Sequence, residues 1–357
     1  MPRATPTVSI CIPTFNGARY LARCLESALG QTHEDFEVLV VDDASTDKTV
    51  AVAERFVARD GRVRVTTNPR NLGLAGNWRR CVELARGAWI KFLFQDDYLA
   101  PTCLATMLAH AGPDTPFVVT ARRLDVSGEG DVDIRGWYET HEAKHLMARR
   151  AEWPAIVPAE QFADCLIDYP MINFIGEPTA TLIHRSLFER FGPFVSDMRV
   201  LVDWEYFARI GVNRGLAFIK EPLATFRVHA DSTTQKEGRR SRFTNELDGL
   251  VMLDRLAYHP DFAPARAVAA QRRPPVDLAY ALARAVRKAQ RQAKVGGDFD
   301  DLARSNFEAL QRRLPHLSIT PPGYAKQRLR EMGWAGWARI KRLLDRGLRR
   351  GQPPRPG

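Results

Sequence analysis

Residues 8–49 read VSICIPTFNGARYLARCLESALGQTHEDFEVLVVDDASTDKT, and this stretch decides the fold. Val8–Ile12 is a compact apolar run stopped by Pro13, the pattern of a buried strand. Leu21, Leu25, Ala28 and Leu29 then recur at helical spacing over 20–29. Phe36–Val41 is a second apolar run, broken by the turn-rich DDASTD. The alternation continues, with a helix predicted over 49–58, a strand over 62–66, a helix over 77–85 and a strand over 89–94 that ends in Gln95-Asp96-Asp97. Strands alternating with helices at this pitch predict an α/β fold on a parallel sheet. Buried parallel strands are continuous β-branched and aliphatic runs, as these are. In open α/β sheets the ligand sits beyond the carboxyl ends of the strands. The polar exits at Pro13-Thr14-Phe15-Asn16, Asp42-Asp43-Ala44-Ser45 and Gln95-Asp96-Asp97 should therefore share one edge.

Outward from this core the pattern loosens. Residues 121–160 are polar and irregular and read as an insertion; apolar patterning resumes over 174–194 and 204–210, and 215–226 reads as the end of a strand pair. Beyond about residue 242 the chain is mainly helical, with helices predicted over 247–256, 278–294, 302–314 and 324–348, and a disordered tail GQPPRPG. The expected organisation is a unit over 1–240, with a first half to about 110 and a second half over 111–240, followed by a helical region over 241–357.

Charge divides in the same place. The 357 residues carry a net charge of +10. Residues 1–260 hold 31 Lys and Arg against 34 Asp and Glu, while residues 261–357 hold 21 against 8. The positive excess thus belongs to the last quarter of the chain. Over 324–348, Trp334, Trp337, Ile340, Leu344 and Leu348 fall on one helical arc, and Arg339, Arg342 and Arg346, continued by Arg349 and Arg350, lie off it. A basic amphipathic helix with tryptophans suits an anionic membrane surface over 324–350; a helix packed on the rest of the chain with a solvated basic face is the other reading. Gly333, Gly336 and Gly347 weaken it as a helix. Nucleic acid is disfavoured, because no recognition motif accompanies the charge. No apolar run reaches the roughly 18 residues of a membrane span. The first residues lack the pattern of a secretory signal. Five scattered cysteines with no CxxC spacing point to reduced thiols rather than zinc or disulfides. Neither GxGxxG nor GxxxxGK[ST] occurs, which disfavours a dinucleotide enzyme or a P-loop NTPase.

Adjacent carboxylates at a strand exit suit a divalent cation, since Mg²⁺ takes one or two carboxylates plus substrate phosphates. Asp96-Asp97 fits that description, and so does a solvated turn. Asp42-Asp43 is a second such pair, with turn and cap chemistry around Ser45 and Asp47 as its other reading.

These residues carry a resemblance. Residues 8–49, NPRNLGLAGNWRRCVELARGAWIKFLFQDDYLAP over 68–101, GEPTATLIHRSLFERFGPF over 176–194, VDWEYFARI over 202–210 and FRVHADSTT over 226–234 resemble, in order, the family 2 glycosyltransferases of GT-A fold. The resemblance implies a GT-A-like three-layer α/β/α nucleotide-binding domain with a mainly helical C-terminal extension. It implies transfer of a sugar, with inversion, from a UDP- or dTDP-type nucleoside-diphosphate sugar to a hydroxyl, with Mg²⁺ or Mn²⁺ as cofactor. Pro13, Thr14 and Asn16 would form the first nucleotide loop. Asp43 would pair with a uracil-type base, with Asp42 before it. Asn71, Gly73 and Asn77 would run beside the nucleotide. Asp96 would touch the ribose or the metal, and Asp97 would bind the metal. Asp203 matches the general base, although Val202 stands where relatives often have Glu; an N-cap is its other reading, and Glu205 is the fallback acid. His229 would complete the metal site, touch phosphate or be structural. Glu177 falls on the acceptor side, or is only a turn. Missing QxxRW and membrane spans imply addition of one sugar or few. The acceptor expected is a glycan or glycolipid, a lipid-linked or surface-polysaccharide precursor, and the expected location is cytoplasmic, peripheral to the inner face of the membrane. Two rivals are a sugar-phosphate nucleotidyltransferase and a non-catalytic module that binds nucleotide sugar or membrane.

Overall fold

A computed structural model describes residues 5–126, 152–229, 242–295 and 301–321, with Tyr324. The predicted helix over 324–348 lies outside the described residues apart from its first residue. Four strands form the first half: β1 (Val8–Thr14), β2 (Phe36–Asp42), β3 (Val63–Thr67) and β4 (Trp89–Phe92). They lie in the order β3-β2-β1-β4 and are all parallel, as the alternating pattern predicts. Thr14 pairs with Asp42 and Asp42 with Thr67, so these strands end level with one another.

The sheet does not stop there. β5 (Tyr98–Leu99), β6 (Phe117–Asp125), β7 (Ile156–Val157), β8 (Thr181–His184) and β9 (Leu216–Arg227) extend it to nine strands, ordered β3-β2-β1-β4-β8-β6-β9-β5, with β7 on β9. β8 runs antiparallel to both β4 and β6, so the sheet is mixed. Two readings change here. Residues 121–125 are strand, not the start of an insertion. Their half-buried charged residues hid the strand pattern. Residues 216–227 are one long strand along β6, with a register shift beside Pro222, which has no N–H for the ladder.

Helices cover both faces. Strand side chains alternate in direction, so each strand feeds both layers. Ile10, Ile12, Val38 and Val40 pack with α1 (Ala18–Leu29), α2 (Thr49–Arg59) and α4 (Cys103–Ala109). Cys11, Leu39, Val41 and Phe92 pack with α3 (Gly73–Leu84) on the other face. This second core continues through α5 (Ala159–Asp168), α6 (Arg185–Phe191) and α7 (Val202–Arg214). It then runs into the helical region: α8 (Arg242–Tyr258), α9 (Ala263–Gln271), α10 (Leu278–Val295) and α11 (Asp301–Arg313). Leu250, Met252, Leu256 and Phe262 are buried in the same cluster as Phe162, Phe207 and Ile210. All five cysteines are free, four of them buried.

Candidate active site

The three polar strand exits meet, as the topology requires. Asn16 donates its backbone N–H to Ser45 Oγ at 2.8 Å, and its side-chain oxygen accepts from Thr46 N at 2.8 Å. Gln95 closes the other side, accepting from Phe15 N at 3.0 Å and donating back to Phe15 O at 3.2 Å. Asn16 and Ala44 have φ of +49° and +61°. Such backbone is unusual outside glycine and collects at functional loops. Asn16 and Phe15 remain exposed at this edge.

Inside that rim the residues divide by what holds them. Asp42 is fully buried; it accepts from Ser45 N at 2.9 Å, Ser45 Oγ at 2.5 Å and Thr14 Oγ1 at 3.2 Å. It holds its own turn. Thr14 is likewise turned inward, and Pro13 is buried within β1 opposite Val41. Asn77 is also consumed: its amide donates to Val41 O at 3.0 Å and accepts from Asn68 at 3.0 Å, which ties α3 to the strand ends. The side chains of these four residues are buried in the fold, and those of Thr14, Asp42 and Asn77 are bonded within it.

Asp43 differs. It accepts from Asn68 Nδ2 at 2.9 Å, Leu72 N at 2.8 Å and Gly73 N at 3.0 Å. A carboxylate offers about four lone-pair positions, so room remains for one more donor. Gly73, at φ +74°, also takes Asn71 Oδ1 at 2.9 Å, and both residues lie exposed beside Asp43.

The two carboxylates of the β4 exit point in different directions. Asp97 is buried; one oxygen accepts from Thr179 Oγ1 at 2.6 Å and the other from Arg227 N at 3.0 Å. Burial, and then the neighbouring Asp96, push its pKa well above the usual carboxylate range. Asp96 instead meets His229, with 2.9 Å between Oδ2 and Nε2. The His229 ring packs on Tyr20 at 4.5 Å, and its buried Nδ1 has no hydrogen-bond partner among the described residues. Asp97 was expected to bind metal and Asp96 to serve ribose or metal. In the structure each Asp97 oxygen holds one hydrogen bond to the fold, and Asp96 is the one that meets His229. No group of three His, Cys, Asp or Glu residues forms a metal cluster among the described residues.

The second half contributes Asp203. Leu201 occupies the cap position of α7, so Asp203 is inside the helix and is not its N-cap. Its Oδ1 accepts from Trp204 N at 2.7 Å, and its Oδ2 accepts from Asn173 Nδ2 at 3.3 Å. Asn173 Oδ1 also accepts from Ile175 N and Gly176 N, each at 3.0 Å, shaping the turn that presents Glu177. Burial chiefly, and then the charge of Glu177, raise the Asp203 pKa to about 7. Glu177 is more than a turn residue, since it is paired with the buried Arg122, whose Nη2 donates to it at 3.0 Å. Its charge bears on both Asp97 and Asp203, so it lies between the two halves of the site. Glu205 is fully buried, bound by Arg209 at 3.0 Å and Arg255 at 2.5 Å. It cannot serve as the fallback acid or on the acceptor side.

Sequence reading missed Gln95, Asn173, Thr179 and Arg122. Each acts by tying together segments far apart in the chain, a property with no local pattern. Thr179 and Gln95 had a signal, lying within the quoted GEPTA run and the polar exit Gln95-Asp96-Asp97.

Comparison with known proteins bears on the family and the fold. Residues 9–167 match the sequence model of "Glycosyl transferase family 2". An uncharacterized protein of Mycobacterium tuberculosis, MT1568, is 33% identical over 65% of this chain and 70% of its own length. The chain belongs to glycosyltransferase family 2. The PGL/p-HBAD biosynthesis glycosyltransferase of Mycobacterium bovis is 31% identical over 60% of this glycosyltransferase and 73% of its own length. Among solved structures, residues 1–349 of S. aureus TarS in complex with UDP-GlcNAc superpose with a TM-score of 0.57 at 16% identity, over 87% of this chain and 81% of that one. A mannosyltransferase of Pyrobaculum calidifontis, PcManGT, in complex with GDP-Man and Mn²⁺ superposes at 0.51 with 19% identity, over 89% and 87%. The fold is therefore that of GT-A glycosyltransferases, with an added helical region.

Proposed function

We propose that this glycosyltransferase moves a sugar from a nucleoside-diphosphate sugar of UDP or dTDP type to an acceptor hydroxyl, with inversion and with a divalent cation. The observation that carries the reading is Asp203. It is a partly buried carboxylate, free of capping duty, with a pKa near neutrality beside the acidic Glu177. A general base works best with a pKa near the working pH. Asp203 would take the proton of the acceptor hydroxyl as that oxygen bonds to the anomeric carbon. The bond from that carbon to the diphosphate oxygen breaks on the opposite side, and the nucleoside diphosphate leaves with the electron pair. Asp43, with its remaining lone pair, would accept the imide N–H of a pyrimidine base. Asn16, Asn71 and Gly73 would line the nucleotide side.

Asp96 and His229 would hold the cation, Mg²⁺ or Mn²⁺. A carboxylate oxygen and an imidazole nitrogen, both donors that divalent cations accept, lie 2.9 Å apart here. Two protein ligands leave the other positions to donor phosphates and water. When bound, the cation supplies Lewis-acid stabilisation of the departing diphosphate.

A glycan or glycolipid acceptor, such as a lipid-linked or surface-polysaccharide precursor, fits the names of relatives such as the PGL/p-HBAD biosynthesis glycosyltransferase. Residues 324–350, of which Tyr324 alone is among the described residues, would place the enzyme on an anionic membrane surface, peripheral to the cytoplasmic face.

Incubation with a donor panel and Mn²⁺ tests the reaction. The expected product is a nucleoside diphosphate; release of pyrophosphate would instead show nucleotidyl transfer. Asp203→Asn should lower turnover by at least roughly a hundredfold while the donor still binds. Unchanged turnover would remove Asp203 from the mechanism.

A further inference from the structure

The base loop has an anchor that comes from outside the sugar-nucleotide fold. Helix α7 starts with no side-chain cap of its own, because its cap position is Leu201. The first backbone N–H groups of a helix need acceptors from elsewhere. For Leu201 N at the cap position, and for the two N–H groups that precede it, the acceptor is Asp248, from α8 in the helical region. Its buried carboxylate accepts from Val200 N at 2.7 Å, Leu201 N at 2.9 Å and Arg199 N at 3.0 Å. Its negative charge also lies at the positive end of the α7 dipole. Two turns further along α8, Arg255 reaches Glu205 on α7. Asp203 is thus fastened two residues before and two residues after itself, both times by α8.

We propose that Asp248 is a positioning residue for Asp203, so that the helical region sets the geometry and environment of the catalytic base. The proposal rests on Asp203 being that base. Asp248 touches neither donor nor acceptor; it acts through the loop at 199–201. Loss of its three hydrogen bonds would free the 199–201 segment that leads into α7, let water reach Asp203 and misplace its carboxylate. Displacement of a catalytic group by about 1 Å costs on the order of a hundredfold in rate.

The test uses the full chain and three variants. Asp248→Ala removes every acceptor, Asp248→Asn keeps one acceptor oxygen, and Asp203→Asn serves as the control for the base. Two readouts are independent: turnover, and titration of Asp203 followed by NMR of carboxyl-labelled aspartate. Asp248→Ala should lower kcat by roughly ten- to a hundredfold, leave KM for the donor within about twofold, and move the Asp203 titration down towards that of a solvated carboxylate. Asp248→Asn should fall between, and if only that variant folds its titration decides. An Asp203 titration and kcat unchanged in the variants, with only thermal stability reduced, would overturn the proposal and leave Asp248 a purely structural cap. If Asp203→Asn keeps full turnover, the base assignment fails. A titration shift in the Asp248 variants then shows that the anchor is physical but not catalytic, which also overturns the proposal.

Discussion

Asp203 shows how a single carboxylate can be read two ways from its neighbours in sequence. An acidic residue at the start of an apolar helix is both a cap and a candidate base, and VDWEYF fits either. Tertiary structure separates them, because Leu201 holds the cap position, with its N–H bonded by Asp248 from another helix, and Asp203 keeps lone pairs beyond its bonds to Trp204 N and Asn173. Its pKa near 7 has consequences for both rate and stability. Turnover should rise through pH 7 as the carboxyl loses its proton, then level off. The stability effect has the opposite sense. The ordinary value is 3.8, so the folded state binds this proton more tightly than the unfolded chain does. The carboxyl therefore adds nothing below about pH 4 and destabilises increasingly up to pH 7. Asp203→Asn should raise Tm at pH 8 and leave it nearly unchanged at pH 4, a comparison that thermal melts at the two pH values can make. The Asp96-Asp97 pair follows the same logic. Both were legible as acids at a strand exit, but which one faces the cleft depends on Thr179 and Arg227, which lie 82 and 130 residues further along the chain. Asp96→Asn should abolish Mn²⁺-dependent donor binding in calorimetry with little change in Tm. Asp97→Asn should retain part of that binding.

Among the elements, α7 is buried along most of its length, and its pattern misled in one respect. Glu205 two residues beyond Asp203 reads from sequence as a second acid near the acceptor. It is instead the centre of a buried ion pair with Arg209 and Arg255. Helical geometry places i and i+4 together, so the Arg209 partner was available to the sequence; Arg255 was not. Removing one partner of a buried pair strands the others in a poorly solvating interior. Glu205→Ala should cost about 3–5 kcal/mol in denaturant unfolding, with little effect on the metal dependence of whatever protein remains folded. The strands were more legible than their pairing. Parallel β1–β4 follow from apolar runs and helical spacers, whereas the antiparallel insertion of β8 between β4 and β6 has no local signature, since pairing is set by packing over long loops.

At the scale of the whole molecule, the helical region shares a core with the glycosyltransferase fold. Leu250, Met252, Leu256 and Phe262 are buried with residues of α5 and α7. A chain ending at residue 241 would expose that surface. It should be recovered as aggregate or as a species without a cooperative melt, while a chain ending at 323 should melt cooperatively and bind donor. The shorter tail should also lose sedimentation with anionic vesicles. Sedimentation equal to that of the full chain would sink the membrane role of residues 324–350. The sequence by itself determined the α/β alternation, the parallel first sheet, the convergence of three polar strand exits and the separation of positive charge from the acidic sugar-transfer part. Those properties are local, because periodicity, turn residues and charge are written in neighbouring positions. Only the tertiary structure decided that Asp96 rather than Asp97 meets His229, that the side chains of Asp42 and Asn77 are bonded within the fold, and that the helical region reaches the segments on either side of Asp203. Those outcomes turn on which buried oxygen finds a donor. A buried polar group accepts whichever partner the fold brings to it, however distant in the chain.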